Sequence, residues 1–338
     1  MRVLVVNAGS TSLKLAVVAE NEAVEPIATL KDAPRDVDAV AHRIVHGGSS
    51  FHEATLVDDD VEHRLHELTE LAPLHNAPAL EALREAHARL PGTPQIAVFD
   101  TAFHASIPAE ASTYALPARF RELGIRRYGF HGLSVQWASE RVPVLRLVVC
   151  HLGGGCSVTA VKDGRSVDTT MGLTPLEGVP MATRSGSVDP GALLYLLRRG
   201  IGRDELDRAL EHESGLTGLA GSADMRTLER SPDPGAKLAL DVFVYRIASA
   251  VGAMTTALGG LDALVFTAGI GENSALVRQR VCERLGYLGV EIDEAVNVEA
   301  CADAEISRAG SRVRVIVVKS REDLIMARAA REFVRGSA

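Results

Sequence analysis

Short apolar runs alternate with stretches of helical periodicity from end to end of the chain, a pattern that predicts an α/β fold. Strands are expected at Val3–Val6, Leu13–Val18, Ala39–Val45, Gln95–Phe99, Leu145–Cys150, Ser157–Val161, Ala263–Thr267 and Val313–Val318. Helices are expected over Val61–Leu71, Ala77–Leu90, Gly191–Arg199 and Ala236–Leu258. In the last of these, Leu238, Val242, Tyr245, Ala248 and Gly252 keep one face apolar or small. Asn273 reads as the N-cap of a further helix carrying Leu276, Val277, Val281 and Leu285, and a final helix runs from about Arg321 to Val334.

The pattern also repeats. Val3–Val18 reads strand, small polar loop, strand, and Leu147–Val161 does the same, with Gly9 answered by Gly153. Two such hairpins, each opening a half of the chain, imply duplicated domains that each present a phosphate-binding turn to a shared cleft. Val142-Pro143-Val144 is the expected boundary. The expected domains are therefore 1–143 and 144–320, with the helix over 321–335 packing back on the first.

Composition narrows the class. The chain has 338 residues, 46% of them hydrophobic, enough for two cores. A net charge of −8 argues against a nucleic acid or an anionic membrane as the main partner, since both demand excess Lys and Arg. No apolar run reaches the roughly 20 residues that span a bilayer, and the start of the chain enters a strand pattern directly, so no signal peptide is expected. The four cysteines, Cys150, Cys156, Cys282 and Cys301, lack CxxC spacing and read as reduced thiols of a cytoplasmic protein.

Three loops could hold phosphate. The first is Asn7–Ser12, with hydroxyls at Ser10, Thr11 and Ser12 and Lys14 in the next strand. Backbone N–H groups of such a turn can converge on an anion, and Lys is a good point charge for phosphate; an ordinary β-turn with an exposed Lys fits the same residues. The second is Gly153-Gly154-Gly155 after His151 and Leu152, more specific because three glycines end a strand poorly, although a flexible hairpin remains the plain alternative. The third, Ala268–Ser274, lies between a strand and a helix. It nearly matches a dinucleotide fingerprint, but its third glycine is missing and it falls late in the chain, so it reads as a nucleotide site of another fold. No GKS or GKT occurs, which excludes a Walker A loop.

Polar clusters accompany these loops: His42–Gly48 and Phe99–His104 at strand ends, where ligands of α/β sheets collect, and further on Tyr128–Gly132 and Met181–Gly186. Singly, Arg43 or Arg184 could be a surface ion-pair partner, His131 a core histidine and Asp100 a helix cap. Together they suit transfer of phosphate to a group that is already anionic. Such a reaction needs positive charge around the transferring group more than it needs a base.

The segments VNAGSTSLKL, HRIVHGG, LAPLHNAPAL, FDTAFH, YGFHG, CHLGGG, DTTMGLTPLEGVPMATRSG, AGSADMR and FTAGIGENS follow the order seen in acetate kinases, and the chain strongly resembles that family from Val3 to about Arg328. FDTAFH and the TPLEG…TRSG block are the most specific. The resemblance implies two duplicated actin-like, ribonuclease-H-like α/β domains around an ATP cleft, usually in a homodimer. It implies that ATP/ADP and Mg²⁺ (or Mn²⁺) are used, that Asn7 and Glu322 organise the metal, and that Ser10, Ser12 and Lys14 approach ATP phosphate. Arg43 would bind the substrate carboxylate, with Val45, Leu74, Phe130 and Pro175 forming the acyl pocket. Asp100 would be the active-site acid, and His131 and Arg184 the transition-state stabilisers. His151, Leu152, Gly153, Gly154 and Gly155, then Asp224, Met225 and Arg226, then Gly269, Ile270, Gly271, Glu272 and Asn273 would contact the nucleotide.

The chain departs from the family where Leu15–Arg43 is short, implying that β-structure or an inserted lobe is missing. Gly154 replaces an Asn, Ala182 a Gly, Ser187 an Asp, and Arg321 stands where an Asn is usual. The expected activity is phosphorylation of a short-chain carboxylate, acetate first and propionate as the alternative. A sugar-type kinase using Asp100 as base would want a polar pocket, and a non-catalytic actin-like nucleotide-binding protein would have no need of Arg43, His131 and Arg184.

Overall fold

The computed structural model describes residues 1–9 and 13–336, and all side chains among them except those at 71 and 73–75. The chain divides into two compact units. Met1–Ala105, Leu116–Trp137 and Arg321–Ala338 form the first, and Ser106–Ala115 with Ala138–Ser320 the second.

The first unit is built on six strands: β1 (Val3–Ala8), β2 (Leu13–Val18), β3 (Val24–Ile27), β4 (Ala39–Ile44), β5 (Thr55–Leu56) and β6 (Gln95–Phe99). They lie in the order β3-β2-β1-β4-β6-β5. β1, β4 and β6 are parallel, while β1–β2, β2–β3 and β5–β6 are antiparallel. The second unit contains β7 (Arg146–Leu152), β8 (Cys156–Lys162), β9 (Arg165–Thr169), β10 (Ala263–Thr267), β11 (Ala304–Glu305) and β12 (Arg314–Val317). Its order, β9-β8-β7-β10-β12-β11, matches the first sheet strand for strand, with the same parallel and antiparallel pairings. The repeat in the sequence is thus a repeat of topology: two mixed sheets of one design. The short Leu15–Arg43 segment still delivers β2, β3 and β4, so the first sheet lacks no strand that the second has.

The central strands carry apolar runs, Val3–Val6 in β1, Ile96–Phe99 in β6 and Ala263–Phe266 in β10, because both faces are covered. β6 and β10 are buried along their whole length. Helices Pro73–Arg89 and Glu322–Gly336 pack on β1 and β4. Leu4, Val6, Leu15 and Val17 share a core with Ala82, Ala86 and Leu90, while Ile44, Ala97 and Phe99 share another with Val61, Leu80 and Leu83. Arg331 fastens the last helix to the first hairpin, donating to the carbonyls of Val18 (2.9 Å) and Ala19 (2.6 Å).

Two expectations need correction. The helix Pro234–Leu258 buries Leu240, Phe243, Val244, Ile247, Val251 and Met254, whereas Leu238 and Tyr245 are each 52% exposed. Of the expected stripe Ala248 is buried and Val242 and Gly252 are half-buried; this helix has apolar residues around most of its circumference, so periodicity alone misjudged Leu238 and Tyr245. It is long and apolar enough to cross a membrane, yet it packs against β7 and β8 as a core element. The second correction concerns Asn273, which ends the short helix Ala268–Asn273 and donates from Nδ2 to the Gly269 carbonyl (2.8 Å). Ser274 is the cap of the following helix, Ala275–Arg284, accepting from the Val277 N–H (3.0 Å). Both are good capping residues, and a turn between them was invisible in the pattern.

Candidate active site

In the first unit, the carboxyl ends of β1, β4 and β6 bring three polar side chains together. Arg43 leaves β4 and meets Asp100, just past β6, through Nε (3.1 Å to each carboxylate oxygen) and Nη2 (2.5 Å to Oδ2). Its Nη1 donates to Asn7 Oδ1 on β1 (3.3 Å), and Asn7 Nδ2 donates to Glu322 Oε2 (2.9 Å), the first residue of the last helix. Four residues spread over more than 300 positions form one chain of hydrogen bonds. Lys14 faces Asn7 across the β1–β2 register and is exposed. Ser10 and Ser12 lie outside the described residues, as does the side chain of Leu74.

The Asp100 side chain is fully buried and that of Arg43 is 11% exposed. Burial pushes the Asp100 carboxyl up and the charge of Glu322 adds to this, while Arg43 and the His131 backbone N–H oppose it. For Arg43, loss of water works against the charge but is outweighed by Asp100 and Glu322, so the pKa of the guanidinium rises above its ordinary value. The bidentate clamp fixes the orientation of the Arg43 guanidinium, with Asn7 holding its third nitrogen.

His131 is locked to the same turn. It adopts φ +59°, in the left-handed region that non-glycine residues seldom enter. The next N–H, from Gly132, donates to the Asp100 carbonyl (3.0 Å). A Cβ at Gly132 would run into that same carbonyl oxygen, so only glycine lets the corner close. Val45 and Phe130, the neighbouring apolar residues, are 2% and 1% exposed. The ring of His46 meets that of Phe130 edge-on at 5.3 Å. His42 and His104 are driven to about 4 by burial and are neutral, which removes them as proton carriers near pH 7.

In the second unit, Arg184 is 7% exposed on a tightly knotted loop. Its Nη1 donates to the Pro175 carbonyl (2.7 Å), and its Nε lies 4.0 Å from Glu211 Oε2. Burial lowers the pKa of this guanidinium while Glu211 supports the charge, and an arginine stays protonated regardless. The loop is tied directly to the glycine turn between β7 and β8: the Ala182 N–H donates to the Gly154 carbonyl (3.2 Å), and that turn closes through Gly153 N–H to Gly155 O (2.9 Å). Gly215, at φ +61°, lies against the carbonyls of Met181 and Arg184 where no side chain would fit. His151 and Leu152 end β7 and are buried.

Asp224 caps the helix Met225–Arg230, accepting from the Arg226 N–H (3.1 Å). Met225 is buried while the Arg226 side chain is largely exposed. At the loop over Gly269–Asn273, Ala268 carries φ +65°, a second left-handed non-glycine residue beside a segment of interest. Arg278 holds this loop from within, donating to the carbonyls of Gly271 (3.0 Å) and Glu272 (2.8 Å) and to Asn297 Oδ1 (2.8 Å). Sequence reasoning passed over Arg278 and Glu211. The signal for Arg278 was a charge beside Val277 in a stripe that is otherwise apolar; nothing set Glu211 apart from the surface charges around it.

Residues 22–328 match the acetokinase family. A curated acetate kinase of Synechococcus sp. is 48% identical over 313 residues, which cover 89% of this chain and 78% of that protein. One of Protochlamydia amoebophila is 42% identical, with coverage of 96% and 85%. Among solved structures, a propionate kinase from Francisella tularensis subsp. tularensis superposes with a TM-score of 0.90 and an acetate kinase from Porphyromonas gingivalis with 0.85. Each is 34% identical and covers 98% of this chain and 99% of its own.

Proposed function

The chain belongs to the acetokinase family, and from that premise we infer that it transfers the γ-phosphoryl group of ATP to the carboxylate of acetate, reversibly, giving acetyl phosphate and ADP. Acetate is ionised at pH 7 and is already the nucleophile, so no general base is required. The barrier is repulsion between two anions, and catalysis consists of placing fixed positive charge around them. Arg43 takes the acyl carboxylate, oriented by Asp100, with Val45, Leu74, Phe130 and Pro175 supplying the apolar wall for a methyl group. His131 and Arg184 stabilise the charge on the equatorial oxygens of the transferring group. Transfer is in line and direct, without a phosphoenzyme. Ser10, Ser12, Lys14, the His151–Gly155 turn, Asp224–Arg226 and Gly269–Asn273 hold the nucleotide.

Asn7 and Glu322 suit Mg²⁺ or Mn²⁺: an amide oxygen and a carboxylate are hard donors, and Mg²⁺ ordinarily takes only one or two protein ligands and completes its shell with water and phosphate. When bound, the ion supplies positive charge against the phosphate oxygens. The observation that carries this reading is the buried, bidentate Arg43–Asp100 pair, a cation oriented at the carboxyl ends of the strands.

Incubation with ATP, Mg²⁺, hydroxylamine and acetate is expected to yield acetohydroxamate. With propionate and butyrate kcat/KM should fall by about 10–200-fold per added methylene, the discrimination a tight apolar pocket can achieve. Equal or better turnover of propionate would move the assignment to the propionate reading, which the Francisella relative favours; no hydroxamate from any acid would refute the kinase.

The protein is proposed to be cytoplasmic and to work as a homodimer. Helix Pro190–Arg198 supports the latter, since it buries none of its residues and Leu194, Tyr195, Leu196 and Leu197 are 37–55% exposed on it, a cluster of apolar side chains that a second copy could cover. Light scattering coupled to size exclusion should give a mass of two chains, and a single-chain mass at micromolar concentration would exclude the dimer.

A further inference from the structure

We propose that Glu211 is a positioning residue for Arg184, aiming its guanidinium with a buried carboxylate at the end of helix Arg203–His212. The inference rests on the assignment of Arg184 to the transferring phosphoryl group. Its starting point is the density of fastenings between the end of this helix and the arginine loop. Thr183 Oγ1 donates to the Glu211 carbonyl (2.8 Å) and the Ser185 N–H to the Leu210 carbonyl (3.1 Å). Ser214 returns a bond from its N–H to the Thr183 carbonyl (2.9 Å). The residues on either side of Arg184 are therefore pinned to the same helix end that carries Glu211.

The side chain adds charge to this backbone clamp. Glu211 Oε2 lies 4.0 Å from Arg184 Nε, with side-chain exposures of 17% and 8%. That oxygen is buried and has no hydrogen-bond partner among the described residues, so its interaction with Arg184 is Coulombic. A buried arginine with only a carbonyl for company is expensive to keep. Burial pushes the Glu211 carboxyl up while Arg184 draws it down; when ionised, it gives the guanidinium a counter-charge on the Nε side while the Pro175 carbonyl holds Nη1. The guanidinium is pinched between two fixed acceptors, and among the described residues Nη2 carries no bond of its own. The arrangement also links Pro175, assigned to the acyl wall, to the group assigned to phosphate.

The test is a double-mutant cycle in steady-state kinetics. Glu211→Gln keeps the shape and the backbone clamp and removes the charge; kcat is expected to fall by about 10–100-fold, the scale of a slightly misplaced catalytic group, with KM for ATP and for acetate within twofold. In an Arg184→Ala background the same change should have no further effect on kcat. An unchanged kcat for E211Q, or an equal loss with and without Arg184, overturns the proposal. If Arg184→Ala alone turns over normally, the underlying assignment of Arg184 fails instead, and the two failures are distinct. Should E211Q melt below the assay temperature, Glu211→Asp takes its place: the charge on a shorter stem is expected to lower kcat only while Arg184 is present, and loss in both backgrounds would again refute the idea.

Discussion

Arg184→Ala is expected to lower kcat by about 10³-fold or more, the effect of removing a cation that stabilises a phosphoryl transition state, with much smaller changes in KM for ATP and acetate. The side chain is 7% exposed and held by the Pro175 carbonyl, so its charge acts where water cannot screen it. Arg184→Lys should recover little, because an ammonium has neither the planar fork nor the reach to keep that bond and address phosphate together. The hydroxamate assay measures the loss directly. Turnover within a few-fold of the parent, in protein with an undisturbed melt, would remove Arg184 from the chemistry.

Asp100→Ala is expected to do two kinds of damage at once. Arg43 would lose both its counter-charge and its clamp while remaining buried, a change that typically costs about 3–5 kcal/mol. Glu322 lies close enough to support the Arg43 charge, so the lower end of that range is expected, read from the urea midpoint at constant slope. Activity should collapse as well, because the guanidinium would no longer be aimed. Arg43→Met with Asp100→Leu separates the two effects: removing both charges should restore most of the stability and none of the turnover. An Asp100→Ala protein with an unshifted midpoint would show that the pair does not bear on folding.

Several features of the fold could be read from the residues alone. Ile96–Phe99 of β6 and Ala263–Phe266 of β10 are short apolar runs because these strands are buried along their length, and runs of this length rich in Val, Ile and Phe read as strands. The echo of Val3–Val18 in Leu147–Val161 announced the duplicated topology. Motif order then pointed to the family. The geometry of the candidate site is a different matter. That Arg43 clamps Asp100 depends on β4 lying beside β6, a long-range pairing that leaves no mark in local sequence. The left-handed backbone of His131 follows from the bond between Gly132 and the Asp100 carbonyl, again a tertiary fact. The misread stripe of Pro234–Leu258 and the misplaced cap at Asn273 have a common origin: each offered two locally adequate choices, and packing decided between them. Glu211 was hidden for the opposite reason, since Asp207, His212 and Glu213 around it look equally like surface charges.

The division of the chain has a consequence for biosynthesis. The first unit includes Arg321–Ala338, and Glu322 is bonded to Asn7 near the other terminus. A ribosome therefore releases the opening strands, complete by Phe99, long before the helix that packs on β1 and β4 has been made, whereas the second unit, apart from Ser106–Ala115, is continuous from Ala138 to Ser320. The half translated first is then the half that must wait, with the part of β1 and β4 that the last helix covers left exposed until that helix emerges. A chain truncated after Ser320 and released from the ribosome should accordingly hold a protease-resistant second unit and a first unit that is still open to cleavage.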